Sequence, residues 1–150
     1  MAMWIHVFCR ASDALSLGEV VDFIQDGVFF DDAPVIRGDP DRAAPSWGFD
    51  VIYDPKIRPV QISLGQADET TSATIEELLE EHPPADPALV ERLRQTRQEL
   101  VLHFSSDISE DCWAMLDCLE AFVARKLDGV VYATEGIYDQ ELQPLWRFQG

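Results

Sequence analysis

Residues 99–134 read ELVLHFSSDISEDCWAMLDCLEAFVARKLDGVVYAT. Glu99–Ser105 is an apolar, aromatic run that predicts a strand. Ser109 then caps the longest helix of the chain, which runs to about Leu127. Its apolar positions Cys112, Leu116, Leu119, Val123 and Leu127 recur at i, i+3 or i+4, and Trp113, Met115 and Phe122 widen the stripe. Asp128-Gly129 stops the helix, and Val130–Thr134 is again strand-like. One strand–helix–strand unit is therefore written into this stretch.

The N-terminal segment repeats the pattern. Met3–Arg10 (MWIHVFCR) predicts a strand, and Ser16-Leu17-Gly18-Glu19 is a capping box. Val20, Val21, Phe23 and Ile24 give the helix its apolar side, and Asp26-Gly27 closes it. Val28–Phe30 follows as a strand that resumes at Pro34–Arg37. The strand histidine and the Asp-Gly aspartate are 20 residues apart here (6 to 26) and 25 apart in the later unit (103 to 128). The expectation is an α+β fold with a mixed sheet and helices on one face. Two ferredoxin-like βαβ half-units would form an internal pseudo-repeat.

The rest fits one compact domain over residues 1–150. Its halves, 1–65 and 99–150, would be joined by an acidic helical segment, 66–98. Gly38–Pro45 is a Pro/Gly/Asp-rich loop. Trp47–Asp54 and Pro59–Leu64 predict a hairpin turned at Asp54-Pro55-Lys56. Gly65–Ser72 reads as a flexible polar stretch. Thr74-Ile75-Glu76-Glu77 is a capping box for a helix ending by His82-Pro83-Pro84. Asp86-Pro87 opens another helix, to about Gln98. Leu145–Phe148 predicts a last strand, whose free edge could support a homodimer.

Composition narrows the classes. The 150 residues carry 28 Asp+Glu against 11 Lys+Arg, a net charge of −17. With 47% apolar residues, the chain has enough hydrophobic material to fold despite that charge. Nucleic acid and anionic membranes are disfavoured as partners, because both are held by Lys and Arg. No apolar run approaches the length of a membrane span, and the N-terminus lacks the basic region and cleavage site of a signal peptide. A cytoplasmic location is expected.

Candidate chemistry is sparse. Cys9, Cys112 and Cys118 fit no zinc spacing and read as reduced, buried thiols. His6 and His103 hold matching places in the two repeat strands and could line a cleft, while Cys9, three residues from His6, should point to the opposite sheet face. Asp13, Asp31, Asp32, Asp107, Glu110 and Asp111 fall at turns and helix N-termini, where negative charge is favoured without any metal. Phosphate-binding, nucleophile-elbow and zinc-helix motifs are all absent. Neither a catalytic residue, a metal nor a cofactor is assigned.

The distinctive feature is the acidic centre. Between Gln66 and Glu91 lie Asp68, Glu69, Glu76, Glu77, Glu80, Glu81, Asp86 and Glu91, with no Lys or Arg among them. Such a surface would speed encounter with a basic protein and select it. Asp68, Glu69, Glu76, Glu77, Glu80 and Glu81 are the candidate partner-binding residues. Trp47, beside the Pro-rich loop, is the candidate exposed anchor.

The stretch Leu127-Asp-Gly-Val-Val-Tyr-Ala-Thr-Glu-Gly-Ile-Tyr138, after a long amphipathic helix, resembles the endings of small acidic bacterial domains of unknown function, including immunity-type proteins. That resemblance implies a cytosolic α/β protein that neutralises a partner without catalysis. The leading expectation is thus a non-enzymatic, acidic protein-binding protein. A small-molecule sensing domain with a cleft between the halves is the alternative. An enzyme of unrecognised type, using His6, His103 or Cys9, is the third.

Overall fold

The computed structural model describes residues 2–38, 46–82 and 86–148. Most of the expected Gly38–Pro45 loop and the prolines after His82 lie outside the described residues. The element order is β1 (Ala2–Cys9), α1 (Leu17–Asp26), β2 (Val35–Gly38), β3 (Trp47–Ile52), β4 (Val60–Gln66), α2 (Glu69–Glu81), α3 (Pro87–Arg94), β5 (Gln98–Ser105), α4 (Glu110–Leu127), β6 (Gly129–Ala133), β7 (Gly136–Tyr138) and β8 (Pro144–Arg147). The fold is α+β, with four helices and one eight-stranded sheet among the described residues. The strand order is β2-β3-β4-β5-β1-β6-β7-β8.

Local signals place most helix ends. The Ser16 side chain accepts from the Glu19 amide while Glu19 accepts from the Ser16 amide, the complete capping box. Ser109 caps α4 and Asp86 caps α3, with Pro87 in its first turn. Asp128 ends α4 in the left-handed region (φ 55°). Its carboxylate is held by Arg10 at 2.8 Å and Arg92 at 3.2 Å. Gly129 follows because β6 runs hard against β1: a Cβ there would meet Val7 at 3.0 Å and Cys9 at 3.2 Å.

Three expectations are corrected. First, every neighbouring strand pair is antiparallel, so the sheet is not mixed. Both β5 and β6 pair with β1, on its two edges, so α4 carries the chain from one side of β1 to the other.

Second, the ferredoxin-like pseudo-repeat is not present. Val28 adopts φ 51° and is exposed, which breaks the expected strand Val28–Phe30. Phe29 and Phe30 instead pack on Phe23 and Tyr53, at 6.0 and 5.0 Å between ring centres. The strand after α1 is β2, four places from β1 at the sheet edge.

Third, the helices lie on both faces. Ile5, Val7 and Cys9 of β1 share a core with Val20 and Ile24 of α1 and Leu116, Leu119 and Val123 of α4. Phe8 points the other way, onto Ile75 and Leu78 of α2 and Leu89 and Leu93 of α3. The acidic segment is therefore the cover of the second sheet face. Its helix α2 starts earlier than the Thr74 capping box predicts, because Asp68 and Thr71 form a reciprocal cap of their own.

The hairpin β3–β4 and the edge strand β8 lie where the sequence puts them. β7 was not foreseen. Gly136 permits it, since a Cβ there would meet the Trp146 carbonyl of β8 at 2.3 Å.

Gln98, 2% exposed, ties the β1–α1 loop to the sheet by donating to the Ala11 and Asp13 carbonyls, each at 2.8 Å. Gln98→Leu strips both acceptors of their buried partner. It should cost about 1–3 kcal/mol in urea denaturation. An unchanged midpoint would show that solvent satisfies those carbonyls.

Candidate functional site

The acidic centre folds into two helices, and its carboxylates divide by task. Asp68 is spent as the α2 cap and Asp86 as the α3 cap. Glu76 accepts from Arg94 of α3 at 3.1 and 3.3 Å, so it staples the two helices. Glu91 accepts from Gln95 on its own helix. Glu69, Glu77 and Glu80 are exposed and make no ion pair among the described residues. Among the described residues Glu81 has as ionic neighbour the His82 ring, 3.9 Å away. The unopposed charge therefore lies on the outer side of α2.

An aromatic cluster adjoins that helix. His82 stacks on Phe148 at 3.9 Å, and Phe148 meets Trp146 and Tyr132 edge-on at 5.0 and 5.9 Å. All four rings are partly exposed. Burial raises the Tyr132 phenol above its ordinary value, and the charges of Glu81 and Glu77 add to it. Those carboxylates thus project close to the cluster. Further along the same sheet face Trp4 is 52% exposed and stacks on His103 at 3.9 Å.

Trp47 is not an exposed anchor. It is 5% exposed in the main core, and its indole N–H donates to the Leu15 carbonyl at 2.9 Å. Its place on the inward face of β3 puts the ring in the core shared with α1 and α4, and the tryptophans that reach solvent are Trp4, Trp113 and Trp146.

His6 and His103 lie on one sheet face, since Trp4 opposes His103 and shares a face with His6. Each imidazole nevertheless has its own partner. His6 Nδ1 is 2.8 Å from Glu99, and His103 Nδ1 is 2.9 Å from the Gln61 side chain. Glu99 also accepts from the buried Thr71 hydroxyl at 3.2 Å. The carboxylate thus sits between hydroxyl and imidazole, tying α2 to β5 and β1. A nucleophile–base pair needs the hydroxyl against the imidazole. Cys9 points to the opposite face, and burial pushes its thiol up to about 12, far from a reactive thiolate. Cys112 is pushed to about 12 by the same cause, whereas Cys118 is exposed rather than buried. Among the described residues no group of three His, Cys, Asp or Glu side chains could hold a metal ion, and no helix is long and apolar enough to cross a membrane.

A residue not singled out in the sequence makes the second site. Glu120, on the buried side of α4, is 3% exposed, and its Oε2 has no hydrogen-bond partner. It lines a cavity of about 300 Å³ between α4, β1 and β6–β7. Met3, Ile5, Val131 and Ala133 give apolar walls, and Trp113 and Tyr138 give aromatic ones. Leu142, Asp117, Thr134 and Glu135 complete the lining. Burial, then the Asp117 charge, pushes Glu120 up to about 8. Partial burial raises Asp117 as well. The signal was available: Glu120 falls between Leu116 and Ala124 at i+4 and i−4, inside the apolar stripe of α4.

No protein-family model, curated protein or solved structure matches the chain.

Because Glu120 sits near 8 when folded and near 4.5 when unfolded, its effect on stability has a definite sign. At pH 4 it is mainly protonated in both states, so ionisation adds no cost to folding. As pH rises, the unfolded chain ionises first, so the cost of folding grows until about pH 8. The full cost is on the order of 5 kcal/mol. Glu120→Leu should therefore gain little at pH 4.5 and several degrees of melting temperature at pH 8. Equal gains at both would show that Glu120 is not titrating in this environment.

Proposed function

We propose that this chain is a non-enzymatic binding protein of the immunity or inhibitor kind, which docks a basic protein partner in the cytoplasm. The observation that carries the reading is the outer row of α2. Glu77, Glu80 and Glu81 are exposed, and the partly exposed cluster of His82, Tyr132, Trp146 and Phe148 adjoins Glu77 and Glu81. Free carboxylates give long-range attraction and partner choice, and aromatic rings give the close-range energy of an interface. A net charge of −17 extends the attraction over the whole molecule.

Within this reading the carboxylates differ in role. Asp68 and Glu76 belong to the scaffold, because one caps α2 and the other holds Arg94. Glu69 opens α2 as a rim charge. The ligand-cleft reading at His6 and His103 draws less support, since both rings are already partnered within the sheet.

Lysine at Glu77, Glu80 and Glu81 together should abolish capture of the partner from host lysate while leaving the fold intact. Wild-type capture should fall as salt rises. Glu76→Lys alone should instead destabilise the α2–α3 pair. The reading fails if no basic protein is retained at low salt, or if the triple variant retains it as well as wild type.

A further inference from the structure

We propose that the cavity against Glu120 binds a small organic cation: a primary ammonium on an apolar, ring-sized body. This site is separate from α2 and holds whether or not that helix docks a protein.

The first support is an incomplete hydrogen-bond account. Buried carboxylate oxygens are normally satisfied, and one left unpaired calls for an explanation. Glu120 Oε2 has no partner, and the side chain is 3% exposed. Position 120 needs no polar group for folding, since Leu116, Leu119 and Val123 around it are wholly buried and apolar.

The second support is the sign of the surroundings. The other ionisable groups that line the cavity are Asp117, one turn before Glu120 on α4, Glu135 of the β6–β7 turn and Tyr138 of β7. All are acids, and among the described residues no Lys, Arg or His lines the space. A carboxylate ligand would meet only repulsion there. An ammonium would find Glu120 in the wall and Asp117 and Glu135, both exposed, at the rim.

The third support is shape. A volume of about 300 Å³ is at the small end of ligand pockets. Met3, Ile5 and Val131 suit an apolar body, and the aromatic rings of Trp113 and Tyr138 line the same space, residue types that favour a cation.

The proposal has a linked proton. Glu120 holds its proton up to about pH 8, and an ammonium needs the ionised form. Binding must then release that proton, so affinity should fall roughly tenfold per pH unit below about 8.

The test uses the full chain and 2-phenylethylamine, with 2-phenylethanol and phenylacetate as its neutral and anionic matches. Titration calorimetry at pH 6, 7 and 8, in buffers of different ionisation heat, reads affinity and proton release together. The expected result is saturable binding of the amine alone, strengthening with pH and releasing a proton. Glu120→Gln should weaken it at least tenfold, and Asp117→Asn should weaken it less. Ala133→Leu, which fills the cavity and leaves the carboxyl in place, should also block binding, so the result does not hang on one variant. The proposal is overturned if the alcohol binds as well as the amine, if Glu120→Gln binds unchanged, or if no amine binding is seen even at pH 8.

Discussion

Strand β1 is hydrogen-bonded along both edges, and the rest of the architecture follows from that. All eight of its residues pair with β5, and His6 to Cys9 also pair with β6. Over His6–Cys9 that pairing leaves no edge to water, and there the side chains of Val7, Phe8 and Cys9 are buried on both faces. Ile5, Val7 and Cys9 are buried on one side and Phe8 on the other, so an apolar cover is needed twice. Helices α1 and α4 supply the first and α2 and α3 the second. Because β5 and β6 flank β1, the link between them has to cross it, and the long amphipathic helix α4 makes that crossing.

The parts that were legible in the sequence are those fixed by short-range bonds. Ser16 with Glu19, Ser109, and Asp86 with Pro87 satisfy helix-end amides within four residues, and each marks its helix correctly. The β3–β4 hairpin is equally local. The sheet order was not legible, since the sequence of MWIHVFC looks the same whether its neighbours run parallel or antiparallel. Val28-Phe29-Phe30 looked like a strand because apolar residues can be buried without pairing. Its rings cover Phe23 and Tyr53 while its backbone turns away. The resemblance between the two Asp-Gly units was therefore one of helix-stop chemistry, not of topology.

The candidate sites were legible to a different degree. Charge in the α2 region was plain, but which carboxylates are free depended on Arg94, from beyond the acidic stretch, folding back onto Glu76. Trp47 was misplaced because a loop neighbour says nothing about which way a strand residue faces. Its alternation with Phe49 and Val51 would have placed it inward. Whether His6 and His103 converge could not be read from the sequence; they share a sheet face, and Glu99 and Gln61 partner them separately.

Three glutamates show how one side chain serves three ends. Glu99 is half-buried but fully used, one oxygen on His6 and the other on Thr71. Glu77 is exposed and unpaired, which costs nothing because water satisfies it. Glu120 is buried and unpaired, and it alone carries a penalty that grows with pH. The fold offers no repayment at that position, since leucine would fill it and remove the unpaired oxygen. A penalty with no structural return points outward from the protein, to whatever enters the cavity beside it.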